Sequence, residues 1–193
     1  MGLGYPTKDL PAAKHIEKHI QSGDEKLMAF DFDFVGLQNY SRFVAKKLAL
    51  IPIIHTINVP AKKLGHDITD MGWEVYPEGI YQLLKKYDAY KGMKKIIVTE
   101  NGAAFPDEVI NGEVNDVKRL QFIKDYLKQV LRAKKEGVKV DGYFIWSFMD
   151  NFEWAWGYSR RFGLVSLDPD LARRPKASYD FYRRFVRAAR GIL

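Results

Sequence analysis

Between Lys95 and Thr99 the chain places three uninterrupted β-branched residues, Ile96, Ile97 and Val98, and then breaks abruptly into Glu100-Asn101-Gly102. A run this short, with no polar alternation, is the pattern of a strand covered on both faces, as strands of parallel sheets are. Parallel neighbours need long crossovers, usually helical, so such a strand obliges the flanking chain to alternate strand and helix. The flanking sequence does so. Phe30 to Leu37 and Gly142 to Trp146 read as two further strands, and the class is α/β with a parallel sheet.

The helices follow from 3.6-residue spacing and from their stops. Asp9 is a candidate N-cap with Pro11 in the first turn, opening a helix that runs to about Ser22 and that Gly23 closes. Pro77 starts a helix with Ile80, Leu83, Leu84 and Tyr87 on one face. Asp116 is placed to cap a long helix whose apolar positions are Leu120, Ile123, Leu127, Val130 and Leu131, and Gly137 stops it. A last helix, Ala177 to Arg190, sets Tyr182, Phe185, Val186 and Ala189 toward a core and its arginines outward. Leu48 to Met71 is Pro-punctuated and suits a long loop or hairpin over a site.

No Ser/Gly linker, low-complexity tract or internal repeat interrupts residues 1–193, which read as one unit. Three β/α units are too few to close a barrel, since a closed (β/α)₈ barrel needs eight. With 47% hydrophobic residues the chain has material for a sizeable core and is not disordered. The absence of cysteine excludes disulfides, thiolate metal sites and a cysteine nucleophile. No apolar run is long enough to span a bilayer and the first residues do not resemble a signal peptide, which points to a soluble, cytoplasmic protein with no membrane partner. The net charge of +7 is concentrated late, with nine basic residues against three acidic ones from Arg160 onward. That patch reads as a solvated helix face, and nucleic acid is not the expected partner.

Polar and aromatic residues gather where the strands end. Tyr40 follows the first strand, Glu100 ends the second, and Trp146 ends the third and leads into Asp150-Asn151-Phe152-Glu153-Trp154. Active sites of parallel α/β folds lie at the carboxyl ends of strands, so the three clusters share one mouth. Carboxylates among tryptophans suit sugars, whose C–H faces stack on indole while their hydroxyls meet Glu, Asn and Gln. Glycoside hydrolysis needs two carboxyl groups, and spacing alone would pair Glu100 with Asp150 or Glu153. Acidic residues at strand ends also occur as capping groups and metal ligands.

Val98-Thr99-Glu100-Asn101-Gly102, then Trp146-Ser147-Phe148-Met149-Asp150-Asn151-Phe152-Glu153-Trp154, then Gly157-Tyr158 and Arg161-Phe162-Gly163-Leu164, resemble the C-terminal signature blocks of family 1 glycoside hydrolases, the β-glucosidase and β-galactosidase group. Gly72 to Gly79 resembles a further block. The resemblance implies strands six to eight of a (β/α)₈ TIM barrel, a partial barrel domain over residues 1–193, and a retaining mechanism without metal or cofactor. It implies Glu100 as the nucleophile and Tyr40 as the tyrosine that hydrogen-bonds it. Glu153 matches the sugar-binding glutamate, which removes it as the second catalytic carboxylate. Trp146 and Trp154 match the glycone-pocket tryptophans, Trp73 the one on the aglycone side, and Phe162 belongs to a substrate-binding block. Asp150, Asn151 and Phe152 match residues that hold the loop's shape.

Two departures stand out. Many members read Asn-Tyr-Tyr where this chain has Gln38-Asn39-Tyr40, so the role of the first Asn falls to Gln38. The acid/base block Asn-Glu-Pro of the fourth strand occurs nowhere in these 193 residues. The expected activity is hydrolysis of β-linked glycosides as part of a complete barrel, with a carbohydrate substrate and either an N-terminal barrel piece or a second copy as partner. The alternative is an inactive carbohydrate-binding or self-assembling module.

Overall fold

The computed structural model describes residues 4–7, 10–50 and 55–191. A 3₁₀ helix, Pro11–His19, leads to α1 (Asp24–Met28), β1 (Val35–Gln38) and the antiparallel hairpin β2 (Ala45–Lys47) and β3 (Thr56–Asn58). A 3₁₀ turn, Ala61–Lys63, precedes α2 (Glu78–Asp88) and β4 (Ile96–Asn101). The hairpin β5 (Glu108–Ile110) and β6 (Glu113–Asn115) leads into α3 (Val117–Lys135) and β7 (Val140–Ile145). The hairpin β8 (Val165–Leu167) and β9 (Arg173–Pro175) precedes α4 (Ala177–Ala189). Asp9, the expected N-cap of the first helix, lies outside the described residues.

β1, β4 and β7 form one parallel sheet in that order, with Leu37 beside Val98 and Val98 beside Tyr143. Ile96 and Val98 are fully buried under α2 and α3, together with Ile80, Leu84, Ile123 and Tyr126. Each such side chain contributes about 1.5–3 kcal/mol. Ile97 and Thr99, on the opposite face, are only half-covered. The run is therefore buried on one face and open on the other, and Phe34, just before β1, and Phe144, on β7, stand 49% and 60% exposed. β1 and β7 are the sheet's edges. The arrangement is an arc of barrel and not a closed barrel.

Several sequence expectations need correction. The first strand starts at Val35 and not Phe30, because its pairing begins with the Val35–Ile96 register and nothing in β4 lies opposite the earlier residues. Leu131 is 48% exposed, and α3 instead buries Arg119, Phe122, Tyr126 and Ala133 alongside Ile123, Leu127 and Val130. Asp116 holds the N-cap position of α3 but makes no cap bond there. Its carboxylate accepts from Arg119 (2.7 Å) and from the backbone N–H of Ser178 (2.9 Å), in the first turn of α4. Ala189 is exposed, and α4 packs through Phe181, Tyr182 and Phe185. Gly137 stops α3 with φ +92°, a backbone that side-chain-bearing residues avoid. The hairpin β5–β6 turns on Asn111-Gly112, both at positive φ, a turn signal legible in the sequence.

Candidate active site

The carboxyl ends of β1, β4 and β7 open on one side and carry the expected residues. Glu100 lies in register with Gln38 at the end of β1. Tyr40, two residues past that strand, donates its hydroxyl to Glu100 Oε2 at 2.7 Å. Burial first, and then the hydrogen bond and negative charge of Glu100, hold the Tyr40 phenol far above its ordinary pKa of 10.0, with Glu153 adding to the effect. Tyr40 therefore stays protonated and remains a donor. Its ring packs 5.4 Å from that of Trp73 and 6.3 Å, edge-on, from that of Phe162, which lies 6.2 Å from Trp73. Phe162 is buried and braces the pair from behind.

Backbone contacts fix the strand ends. The Asn101 side chain donates to Asn39 O at 2.6 Å and accepts from the Tyr143 hydroxyl at 2.5 Å, tying the three strands together one residue beyond Glu100. Trp146 N–H donates to Asn101 O at 2.9 Å. A Cβ on Gly102 would lie 1.8 Å from Trp146 O, so only glycine lets these segments meet. Trp146, just past the end of β7, is 37% exposed and Trp154 is 91% exposed. Glu153 sits in a tight turn, its N–H bonded to Gly157 O at 2.8 Å.

The loop carrying Trp146 to Trp154 is anchored by a buried ion cluster that the sequence reading did not anticipate. Lys176 Nζ lies 2.7 Å from Asp107 and 2.9 Å from Asp150, and Arg119 Nη1 lies 2.8 Å from Asp107 and 2.7 Å from Asp116. Asp150 Oδ1 also accepts from Gly163 N–H at 2.8 Å. Asn151 donates to Ser147 Oγ and Met149 O at 2.9 Å, closing the same loop on itself. Arg42 forms a two-pronged ion pair with buried Glu74, at 2.7 and 2.9 Å, and stacks over Tyr76. Among the described residues no group of three or more His, Cys, Asp or Glu is placed to hold a metal ion. No helix among them is long and apolar enough to cross a membrane.

The structure therefore unites Glu100, Tyr40, Trp73, Phe162 and Gln38 at one strand-end cluster, sets Trp146 beside it, and leaves Trp154 projecting into solvent. A carboxylate held by a phenol donor beside exposed indole faces can attack an electrophilic carbon of a bound sugar.

The chain is 41% identical over 189 residues to "Beta-glucosidase A" of Acetivibrio thermocellus, covering 95% of this chain and 42% of that protein. Its structure matches the AHE enzyme from Alicyclobacillus herbarius with a TM-score of 0.89 at 36% identity, over 100% of this chain and 43% of the other. It matches the family 1 β-glucosidase from Thermotoga maritima with a TM-score of 0.83 at 37% identity, over 92% and 40%. The chain thus spans about two fifths of the length of these relatives. The pattern of glycosyl hydrolase family 1 matches residues 4–190, and with Glu100 and Tyr40 joined at the strand ends as described, the chain belongs to that family.

Proposed function

We propose that this chain supplies the nucleophile and much of the sugar-binding wall of a retaining β-glycosidase of the β-glucosidase type, working within a complete barrel. The observation that carries the reading is the 2.7 Å hydrogen bond from Tyr40 to Glu100 at the carboxyl end of β4. In the reaction, a Glu100 carboxylate oxygen bonds to the anomeric carbon as the bond to the leaving oxygen breaks. Water later attacks that carbon, freeing the sugar and regenerating Glu100. Tyr40 orients the carboxylate. Trp146 and Trp154 offer aromatic faces to the glycone, Glu153 and Gln38 take its hydroxyls, and Trp73 borders the leaving-group side with Phe162 behind it.

The leaving oxygen needs a proton, a contribution of roughly 10²–10⁴-fold in rate. Its expected carrier has no counterpart in these residues, so the completing part of the barrel supplies it. The open edges of β1 and β7 and the exposed Phe144, Phe148 and Trp154 form the surface on which that part docks. The test is reconstitution with the N-terminal part of a family 1 relative. The complex should hydrolyse aryl β-glucosides and the Glu100→Gln complex should not. Added azide should restore turnover to a Glu100→Ala complex by replacing the missing nucleophile. Equal activity of the wild-type and Glu100→Gln complexes would refute the assignment, and sugar binding without turnover in every assembly would favour a binding module.

A further inference from the structure

β4 carries one residue more than either neighbour. Against β1, Leu37 pairs with Val98 and Gln38 with Glu100, which skips Thr99. Against β7, Val98 pairs with Tyr143 and Asn101 with Ile145, which sets Thr99 and Glu100 together against Phe144. That is a β-bulge, a device that re-aims a side chain. Side chains of a strand alternate between faces, so without the bulge Glu100 would follow Ile96 and Val98, both 0% exposed, into the buried phase. With it Glu100 is only half-buried, and Asn101 takes the buried phase at 0% exposed. The direction of Glu100 therefore depends on one extra residue.

The Asn101 side chain spans the bulge. Its Nδ2 donates to Asn39 O at 2.6 Å, in the residue before Tyr40, and its Oδ1 accepts from the Tyr143 hydroxyl at 2.5 Å. A carbonyl only accepts, so the NH₂ end must face Asn39 and the phenol must be the donor at the other end. Tyr143 is itself held from α4 by Tyr182, whose hydroxyl donates to Tyr143 O at 2.9 Å. Main-chain bonds flank the amide, from Asn39 N–H to Glu100 O at 3.0 Å and from Trp146 N–H to Asn101 O at 2.9 Å. Straightening the bulge would turn Asn101 to the opposite face. Asn39 O and the Tyr143 hydroxyl would lose their partner, and buried polar groups left unpaired are costly.

We propose that Asn101 is a positioning residue: with Tyr143 it holds the bulge that turns Glu100 toward Tyr40 and the anomeric carbon, without itself touching the sugar. The positioning role rests on Glu100 acting as nucleophile, whereas the hold on the bulge is measurable without turnover. A misplacement of about 1 Å can cost about 10²-fold in rate, so loss of the hold should act on kcat and leave KM nearly unchanged.

Tyr143→Phe removes one bond of the amide and Asn101→Ala removes both. In the 193-residue chain, hydrogen exchange read at single amides by mass spectrometry should speed up by at least about 10-fold at Asn39 and Trp146 in each variant. It should keep the wild-type rate at Ile96 and Val35, whose N–H groups bond to Lys139 O and Lys95 O at the other end of the sheet. The second readout uses the barrel reconstituted with the N-terminal part of a family 1 relative, its competent sites counted by exhaustive 2-fluoroglucosyl labelling. There kcat per site on an aryl β-glucoside should fall about 3–10-fold in Tyr143→Phe, the range for one hydrogen bond, and about 10²-fold in Asn101→Ala. KM should stay within about twofold in both. Equal acceleration of exchange at all four amides, or wild-type exchange at Asn39 and Trp146, would overturn the proposal. So would wild-type kcat per site in both variants with a lower yield of folded complex, the mark of a purely structural role. If Asn101→Ala does not fold, Tyr143→Phe carries both readouts. Undiminished activity of the Glu100→Gln complex would refute the nucleophile through a different variant, and a Glu100-dependent complex indifferent to both substitutions would defeat this proposal alone.

Discussion

Lys176→Met removes one of only two cations from a buried cluster holding three carboxylates. The Lys176 side chain is 0% exposed, Asp107 1% and Asp150 8%, with contacts of 2.7 and 2.9 Å. Arg119 then faces Asp107, Asp116 and Asp150 alone, and the cluster's formal charge moves from −1 to −2. Breaking a buried pair by deleting one partner costs about 3–5 kcal/mol, because the remaining charge stays desolvated. Asp150 loses the cation paired with it and Asp107 one of its two, which places the change toward the upper end of that range. At about 2–4 °C per kcal/mol for a chain of this size, the melting temperature should fall by roughly 6–20 °C. Urea titration followed by tryptophan fluorescence gives the difference directly, and Asp150→Asn in the Lys176→Met background should recover part of it. A loss below about 1 kcal/mol, the range of exposed ion pairs, would refute the reasoning and show that water reaches the cluster.

Three further outcomes are expected. Gly102→Ala should destabilise the chain or prevent its folding, since the new Cβ would overlap Trp146 O at 1.8 Å; a wild-type urea midpoint would contradict this. Burial raises the Tyr126 phenol from 10.0 to about 12, so above pH 10 the unfolded chain loses this proton before the folded one does. Stability from this group is intact below pH 10 and declines by about 3 kcal/mol toward pH 12. Tyr126→Phe should flatten that decline, and an unchanged alkaline slope would count against it. The isolated chain should associate or bind a hydrophobic dye through its open face, where Phe34, Phe144, Phe148 and Trp154 are exposed. A compact monomer that binds no dye in sedimentation would contradict this.

The parallel core was legible because Ile96–Val98 carries its own signature and because α3 repeats apolar residues at helical spacing. Charges hid the rest. The burial of Arg119, Lys176 and Asp116 was not legible, since beside the local Arg119–Asp116 pair it depends on partners far away in sequence, such as the Arg119–Arg161 O contact and the Ser178–Asp116 bond. The same distance explains Asp116, whose cap position was legible while its bond to another helix was not. The three-residue strands β5, β6, β8 and β9 are shorter than any periodicity can register, although Asn111-Gly112 marked one of their turns. Composition suggested a sugar site at the strand ends. Only the family resemblance gave Tyr40 and Trp73 their roles, and no spacing rule would place Phe162 behind them.

The most direct test of the central claim is the site of covalent labelling by a 2-deoxy-2-fluoro-β-glucoside with an activated leaving group, read by peptide mass spectrometry in a reconstituted, active barrel. The label should sit on the peptide containing Glu100 and stay there until a transglycosylation acceptor releases it. Labelling at Asp150 or Glu153, or full inactivation with Glu100 unmodified, would contradict the account.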